Sequence, residues 1–145
     1  MFKILLAVDG SDNSFKAVNK TIKLAKSMDA DVTALSVVQD IPFYHEGMAT
    51  EHLVLVQQNF QERAENAAKE VLEKVKDLFN KQGLEVNTVF KSGHPAELIC
   101  QIAEEGRFDF IVMGSRGLGG VKELLLGSVS NRVAHCAKNS VLIVK

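Results

Sequence analysis

Five of the ten glycines in this 145-residue chain fall between positions 114 and 127. They lie in Gly114-Ser115-Arg116-Gly117-Leu118-Gly119-Gly120 and, seven residues after the last of these, in Gly127-Ser128-Val129-Ser130. Glycines of this kind remove the Cβ atoms that would keep an anionic ligand away from backbone N–H groups. Gly127-Ser128 would open a helix whose first amides lack internal partners and whose dipole favours an anion. The hydroxyls of Ser128 and Ser130 would add two donors for phosphate oxygens. A second chemical signal is Asp9-Gly10-Ser11-Asp12, where Asp9 has acceptor geometry for ribose hydroxyls. Each part also has a plainer use: a tight turn for the glycines, an N-cap for Ser128, an Asx turn for Asp9. Taken together on one edge of a sheet, they describe a nucleotide cradle, with phosphates on the glycine loop and the sugar near Asp9.

The elements that must position these residues follow from hydrophobic patterning. Ile4-Leu5-Leu6-Ala7-Val8 is a continuous apolar run, which suits a strand buried on both faces of a parallel sheet. Ser11 or Asn13 can cap a helix that carries Phe15, Val18, Ile22 and Ala25 at spacings of three and four. A second strand covers Val32 to Val38, and the stretch from Gln39 to about Ala49, with Pro42 and Gly47, reads as an exposed loop. A long amphipathic helix follows on the stripe Leu53, Val56, Phe60, Ala64, Ala67, Val71, Val75 and Leu78, with Gly83 placed to end it. Val86, Thr88 and Phe90 alternate as a third, less buried strand. Pro95 suits the first position of a helix whose inner face is Leu98, Ile99, Ile102 and Ala103. Phe108 to Met113 is a fourth strand, residues 128–137 a last helix, and Val141 to Val144 a fifth strand. This β-α-β-α-β-α-β-α-β alternation, in a single domain over residues 1–145, argues for an open parallel sheet with helices on both faces. Ligands of such folds bind beyond the carboxyl ends of the strands, where the strand order reverses.

Composition narrows the function classes. The 17 basic and 18 acidic side chains nearly cancel, which disfavours a nucleic-acid surface. No apolar run approaches the roughly 20 residues of a membrane span, and the polar Asp9-Gly10-Ser11-Asp12 arrives too early for a signal peptide. Cys100 and Cys136, set among apolar helix residues, read as buried inert thiols in a reduced, cytoplasmic setting. There is no P-loop lysine, and Gly117-Leu118-Gly119 does not continue as a dinucleotide fingerprint. The third strand ends in Phe90-Lys91-Ser92, not in the aspartate of a phosphoacceptor domain. His45, His52, His94 and His135 form no pair at zinc-ligand spacing. Arg116 and Lys122 can stabilise phosphate charge or simply be solvated loop cations. No nucleophile and base stand together near the glycine loop.

With these residues assembled, the sequence resembles the ATP-binding type of universal stress protein. That family's signature reads here Gly114-x2-Gly117-x9-Gly127-Ser128, with every spacing kept, and the likeness extends through Ile4 to Ser11, Leu35-Ser36-Val37-Val38 and Ser140 to Val144. The resemblance implies a Rossmann-like sheet of order 3-2-1-4-5, which would set the Asp9 and Gly114 loops side by side. It further implies a nucleotide site in which Asp9 contacts ribose and Val37 meets adenine through its backbone. Met113 would line the pocket, Ala7 would belong to the same set, and Gly114, Gly117, Gly127, Ser128, Val129 and Ser130 would cradle phosphates. ATP would carry magnesium or manganese held through phosphates and water. A homodimer would form through the last strand, which is also a short apolar edge with free backbone groups. Three functional classes follow: a nucleotide-dependent regulatory module, a slow ATPase or autophosphorylating protein, and a nucleotide-free dimeric scaffold.

Overall fold

The computed structural model describes residues 1–40, 51–117 and 126–145. Nearly all of the expected loop between Gln39 and Ala49, together with Gly119, Gly120 and Lys122, therefore lies outside the described residues. Along the chain run β1 (Lys3–Ala7), α1 (Asp12–Met28), β2 (Asp31–Gln39), α2 (Glu51–Asn80), β3 (Asn87–Gly93), α3 (Pro95–Glu105), β4 (Phe110–Gly114), α4 (Ser128–Cys136) and β5 (Ser140–Val144). The strands form one parallel sheet in the order β3-β2-β1-β4-β5. The expected alternation and strand order are both present.

The continuous apolar run of β1 is explained by burial on both faces. Ile4, Leu6 and Val8 point to the face covered by α1 and α2, where they meet Val18, Ile22, Leu72, Val75 and Phe79. Leu5 and Ala7 point to the opposite face, against Ile99, Ala103 and Val133 of α3 and α4. A central strand between two helical layers has no polar side to mark its period. Local signals set the helix starts. Ser11 is the N-cap of α1, its hydroxyl accepting from Ser14 N–H at 3.2 Å. Pro95 takes the first position of α3, where its missing N–H costs no hydrogen bond.

Two expectations need correction. The buried face of α2 consists of Ala68, Leu72, Val75 and Phe79, so the expected stripe is right only in its C-terminal half. Phe60, Ala64 and Ala67 are exposed, while Gln61 and Glu65 turn inward. Gln61 Nε2 donates to Ser92 Oγ of β3 at 3.2 Å. The apolar residues near the start of α2, including Leu53, Val54, Leu55 and Phe60, remain exposed, so that part of the pattern does not report the face that meets the sheet.

The second correction concerns the cysteines. Cys100 and Cys136 are not separate thiols but form a disulfide between α3 and α4, their Cα atoms 6.6 Å apart. Cys100 is half-buried and Cys136 exposed. The 36-residue separation carried no sign of this pairing, which arises because both helices pack on the same face of the sheet. Glu97–Arg132 at 2.8 Å and Glu104–Lys138 at 2.6 Å flank the link.

The placement of α2 makes two phenylalanines in one helix unequal. Phe79 is fully buried and Phe60 is 62% exposed. Urea denaturation of Phe79→Ala should show a loss of about 3–5 kcal/mol, whereas Phe60→Ala should change stability by less than about 0.5 kcal/mol. Comparable losses at both positions would restore the stripe expected from sequence.

Candidate functional site

The strand order reverses between β1 and β4, and the loops leaving their carboxyl ends meet there. The first loop turns at Gly10, whose φ of +86° is a left-handed conformation that favours glycine. Ser11 N–H donates to Asp9 Oδ1 at 2.9 Å, so one carboxylate oxygen does close an Asx-type turn. The other lies against the second loop: a Cβ added at Gly117 would come within 2.6 Å of Asp9 Oδ2. Glycine at 117 is thus what lets the two loops approach this closely.

Further hydrogen bonds stitch the loops together. Ser11 Oγ donates to the Arg116 carbonyl at 3.3 Å, and Asn13 Nδ2 donates to Ser115 Oγ at 3.1 Å. Ser115 itself is buried. Its N–H donates to the Val144 carbonyl at 2.8 Å, while its own carbonyl accepts from Gly127 N–H at 2.6 Å and from Ser130 Oγ at 2.8 Å. This serine holds the start of α4 at the end of β4, and sequence reading missed it. A small polar residue between two glycines carries no signal that its backbone is a junction.

The helix start also differs in detail from expectation. Gly127, not Ser128, is the N-cap, and it offers no side chain to the first amides. Ser128 therefore begins the helix with its side chain exposed. The hydroxyl hydrogen of Ser130 and the Gly127 amide both go to the Ser115 carbonyl. The first intrahelical bond runs from Asn131 N–H to the Gly127 carbonyl, so the groups left for an anion at this end are the Ser128, Val129 and Ser130 N–H groups and the Ser128 hydroxyl. Gly114 serves packing as well, since a Cβ there would meet Asn13 backbone at 2.7 Å.

All ten residues singled out from sequence line one cavity of about 450 Å³, within the range of small-molecule sites. Ala7, Asp9 and Val37 come from β1, its loop and β2; Met113, Gly114 and Gly117 come from β4 and its loop. Gly127, Ser128, Val129 and Ser130 complete it from α4. Pro95 and Ile99 of α3, not anticipated, add an apolar wall, and Arg116 also borders the space. Lys122 lies outside the described residues. His52, His94 and His135 are exposed and none lines the cavity, and His45 is not among the described residues. No cluster of three or more His, Cys, Asp or Glu suited to a metal occurs among the described residues.

A backbone edge opens into the same space. β1 pairs with β2 only as far as Ala7 opposite Leu35, and Val8 N–H then donates to the Leu35 carbonyl at 2.9 Å. β2 continues to Gln39. Alternate residues of a strand direct their N–H and C=O to the same side, so Val37 faces the side of β1 just beyond its last paired residue. The cavity thus presents a donor and an acceptor two residues along from Leu35, an arrangement that can read the edge of a planar heterocycle.

The comparisons agree with this geometry. The sequence profile of the Universal stress protein family matches residues 1–145. Universal stress protein YxiE of Bacillus subtilis is 35% identical, over 99% of this chain and 98% of its own length. Universal stress protein MJ0531 of Methanocaldococcus jannaschii is 38% identical over 99% of this chain and 81% of its own. Among solved structures, universal stress protein UspA from Lactobacillus plantarum superimposes with a TM-score of 0.88 at 24% identity, covering 99% and 97% of the two chains. A universal stress protein solved in complex with cAMP gives 0.72 at 25% identity, covering 99% and 97%. A whole-length family match, whole-length relatives and a shared fold lead to one conclusion: the chain belongs to the universal stress protein family.

Proposed function

We propose that the cavity binds an adenine nucleotide, ATP with magnesium or manganese, and that the protein is a nucleotide-dependent regulatory module of the stress response. The observation that carries this reading is the meeting of an uncapped helix start, the Asp9 carboxylate and the Val37 backbone edge in one cavity. The family relative solved with cAMP supports an adenine ligand. In this reading Ser128 and Val129 N–H groups, reinforced by the helix dipole, hold phosphate oxygens. Asp9 accepts from ribose hydroxyls, and the Val37 N–H and carbonyl take the base edge. Ala7, Met113, Pro95 and Ile99 shield base and sugar from water. The cation would neutralise phosphate charge, held through phosphates and water.

A homodimer and a cytoplasmic setting complete the proposal. Among the described residues β5 pairs only with β4, so its other edge is unpaired there, beside the partly exposed Leu142. The cytoplasmic setting has to accommodate the Cys100–Cys136 disulfide, since disulfides in cytosolic proteins are usually transient and redox-active. Among the described residues no helix is long and apolar enough to cross a membrane.

The chain has no tryptophan and one tyrosine, so a nucleotide carried through purification would dominate its ultraviolet spectrum. Chromatography of the denatured supernatant should yield an adenine nucleotide. Protein stripped of it should gain about 2.7 kcal/mol of stability from ATP-Mg²⁺ at 100 times the dissociation constant. Neither a bound nucleotide nor a thermal shift would leave the scaffold reading.

Gly127→Val tests the cradle itself. A Cβ at this position already lies 3.3 Å from both Arg116 Cα and the Ser115 carbonyl, so larger side chains must displace the helix start. Calorimetric titration should show at least about tenfold weaker ATP binding, with the circular dichroism spectrum retained; unchanged affinity would remove phosphate binding from this helix. For the dimer, Leu142→Lys should shift the mass measured by light scattering from dimer to monomer. A wild-type monomer, or a dimer indifferent to this change, would place association elsewhere.

A further inference from the structure

We propose that Cys100 and Cys136 form a peroxide-oxidisable pair whose covalent state sets the affinity of the neighbouring cavity. The inference rests on the nucleotide reading for its functional consequence, but not for the chemistry of the pair. The two cysteines belong to the two helices that border the cavity on one face of the sheet. α3 contributes Pro95 and Ile99, the latter adjacent to Cys100 in sequence, and α4 contributes Ser128, Val129 and Ser130. Cys136 is the last residue of α4.

The anchorage of α4 makes the bond consequential. This nine-residue helix has only two buried residues, Ser130 and Val133. Ser130 holds its first turn through the Ser115 carbonyl, and Val133 packs against the core shared with Ile99 and Ala103. Its last turn meets α3 through the disulfide and the Glu97–Arg132 ion pair, with Glu104–Lys138 just beyond. Both ion pairs are largely exposed, and such pairs contribute little. The covalent link adds a direct tie to α3 at the C-terminal end of a helix whose N-terminal amides face the cavity, beside the packing of Val133 and Ala137 and the Asn139 side-chain bonds to the Ala103 and Phe108 carbonyls. Fixing both ends pre-organises those amides for an anion and lowers the ordering cost of binding.

The chemistry is accessible because Cys136 is exposed and Cys100 half-buried. With hydrogen peroxide as oxidant, the Cys136 sulfur attacks one peroxide oxygen. An S–O bond forms, the O–O bond breaks, and the departing hydroxide takes up the thiol proton to leave as water. The product is a sulfenic acid at Cys136. The Cys100 sulfur then attacks the Cys136 sulfur: the S–S bond forms, the S–O bond breaks, and the departing hydroxide leaves with the Cys100 proton as a second water. Two thiols have supplied two electrons to one peroxide. A dithiol reductant returns two electrons and two protons by thiol–disulfide exchange.

The test uses the full chain, fully reduced with dithiothreitol and then oxidised with hydrogen peroxide. Peptide mass mapping should find Cys100 joined to Cys136 in the oxidised protein, with the loss of two hydrogens; two sulfinic acids or free thiols would overturn the proposal. Calorimetric titration with ATP-Mg²⁺ should give at least about fivefold tighter binding to the oxidised form. Cys136→Ser should bind like the reduced protein with or without peroxide. Equal affinity of the oxidised and reduced wild type would overturn the coupling. If neither form binds ATP, it is the nucleotide reading that fails. Hydrogen exchange at the Ser128 and Val129 amides then decides: slower exchange in the oxidised form sustains the link between the pair and the helix start, and equal rates reject it.

Discussion

The geometry at the carboxyl end of the sheet depends on one buried residue, Ser115. Its N–H holds β5 through Val144, its carbonyl holds the first turn of α4 through Gly127 and Ser130, and its hydroxyl accepts from Asn13 of α1. A buried polar group left without its partner costs about 1–3 kcal/mol, so these bonds are mutually enforcing. They fix where the helix amides stand relative to Asp9. The site is in this sense a by-product of satisfying the backbone at the end of β4.

The same accounting separates the jobs of the signature glycines. Gly114 admits the first turn of α1, and Gly117 admits the Asp9 carboxylate. Gly127 caps a helix without occupying its amides. Two of the three therefore bring protein to protein before any ligand is considered. The amides that remain for an anion are those of Ser128, Val129 and Ser130, whereas the Ser130 hydroxyl is already given to the Ser115 carbonyl.

Element order and sheet class were legible because they depend on local chemistry. The unbroken Ile4–Val8 run suits a strand covered twice, and Pro95 and the Ser11–Asn13 segment mark helix starts by properties of their own. The residues singled out for the candidate site all line one cavity, although their individual contacts could not be read from the sequence. Hydrogen bonds such as Ser130 to Ser115 link positions whose distance apart is decided by the fold. The α2 stripe was misread because apolar side chains near its start remain exposed, so their spacing does not report the face that meets the sheet. The Cys100–Cys136 bond was illegible for a similar reason: two helices became neighbours through a sheet, and nothing in their spacing says so. Pro95 was read as a helix start and not as part of a cavity wall.

The extension of β2 past the end of β1 bears on how such a site can diverge. What Val37 offers is main chain, so replacing its side chain alters the shape of the cavity but leaves the donor and acceptor in place. A one-residue insertion or deletion within β2 would have the opposite effect. It would turn that N–H and carbonyl toward β3 and bring the neighbouring residue's side chain to the cavity. Point substitution and register shift are therefore unequal evolutionary moves here: the first adjusts fit, and only the second rewrites the hydrogen-bonding pattern that a ligand meets.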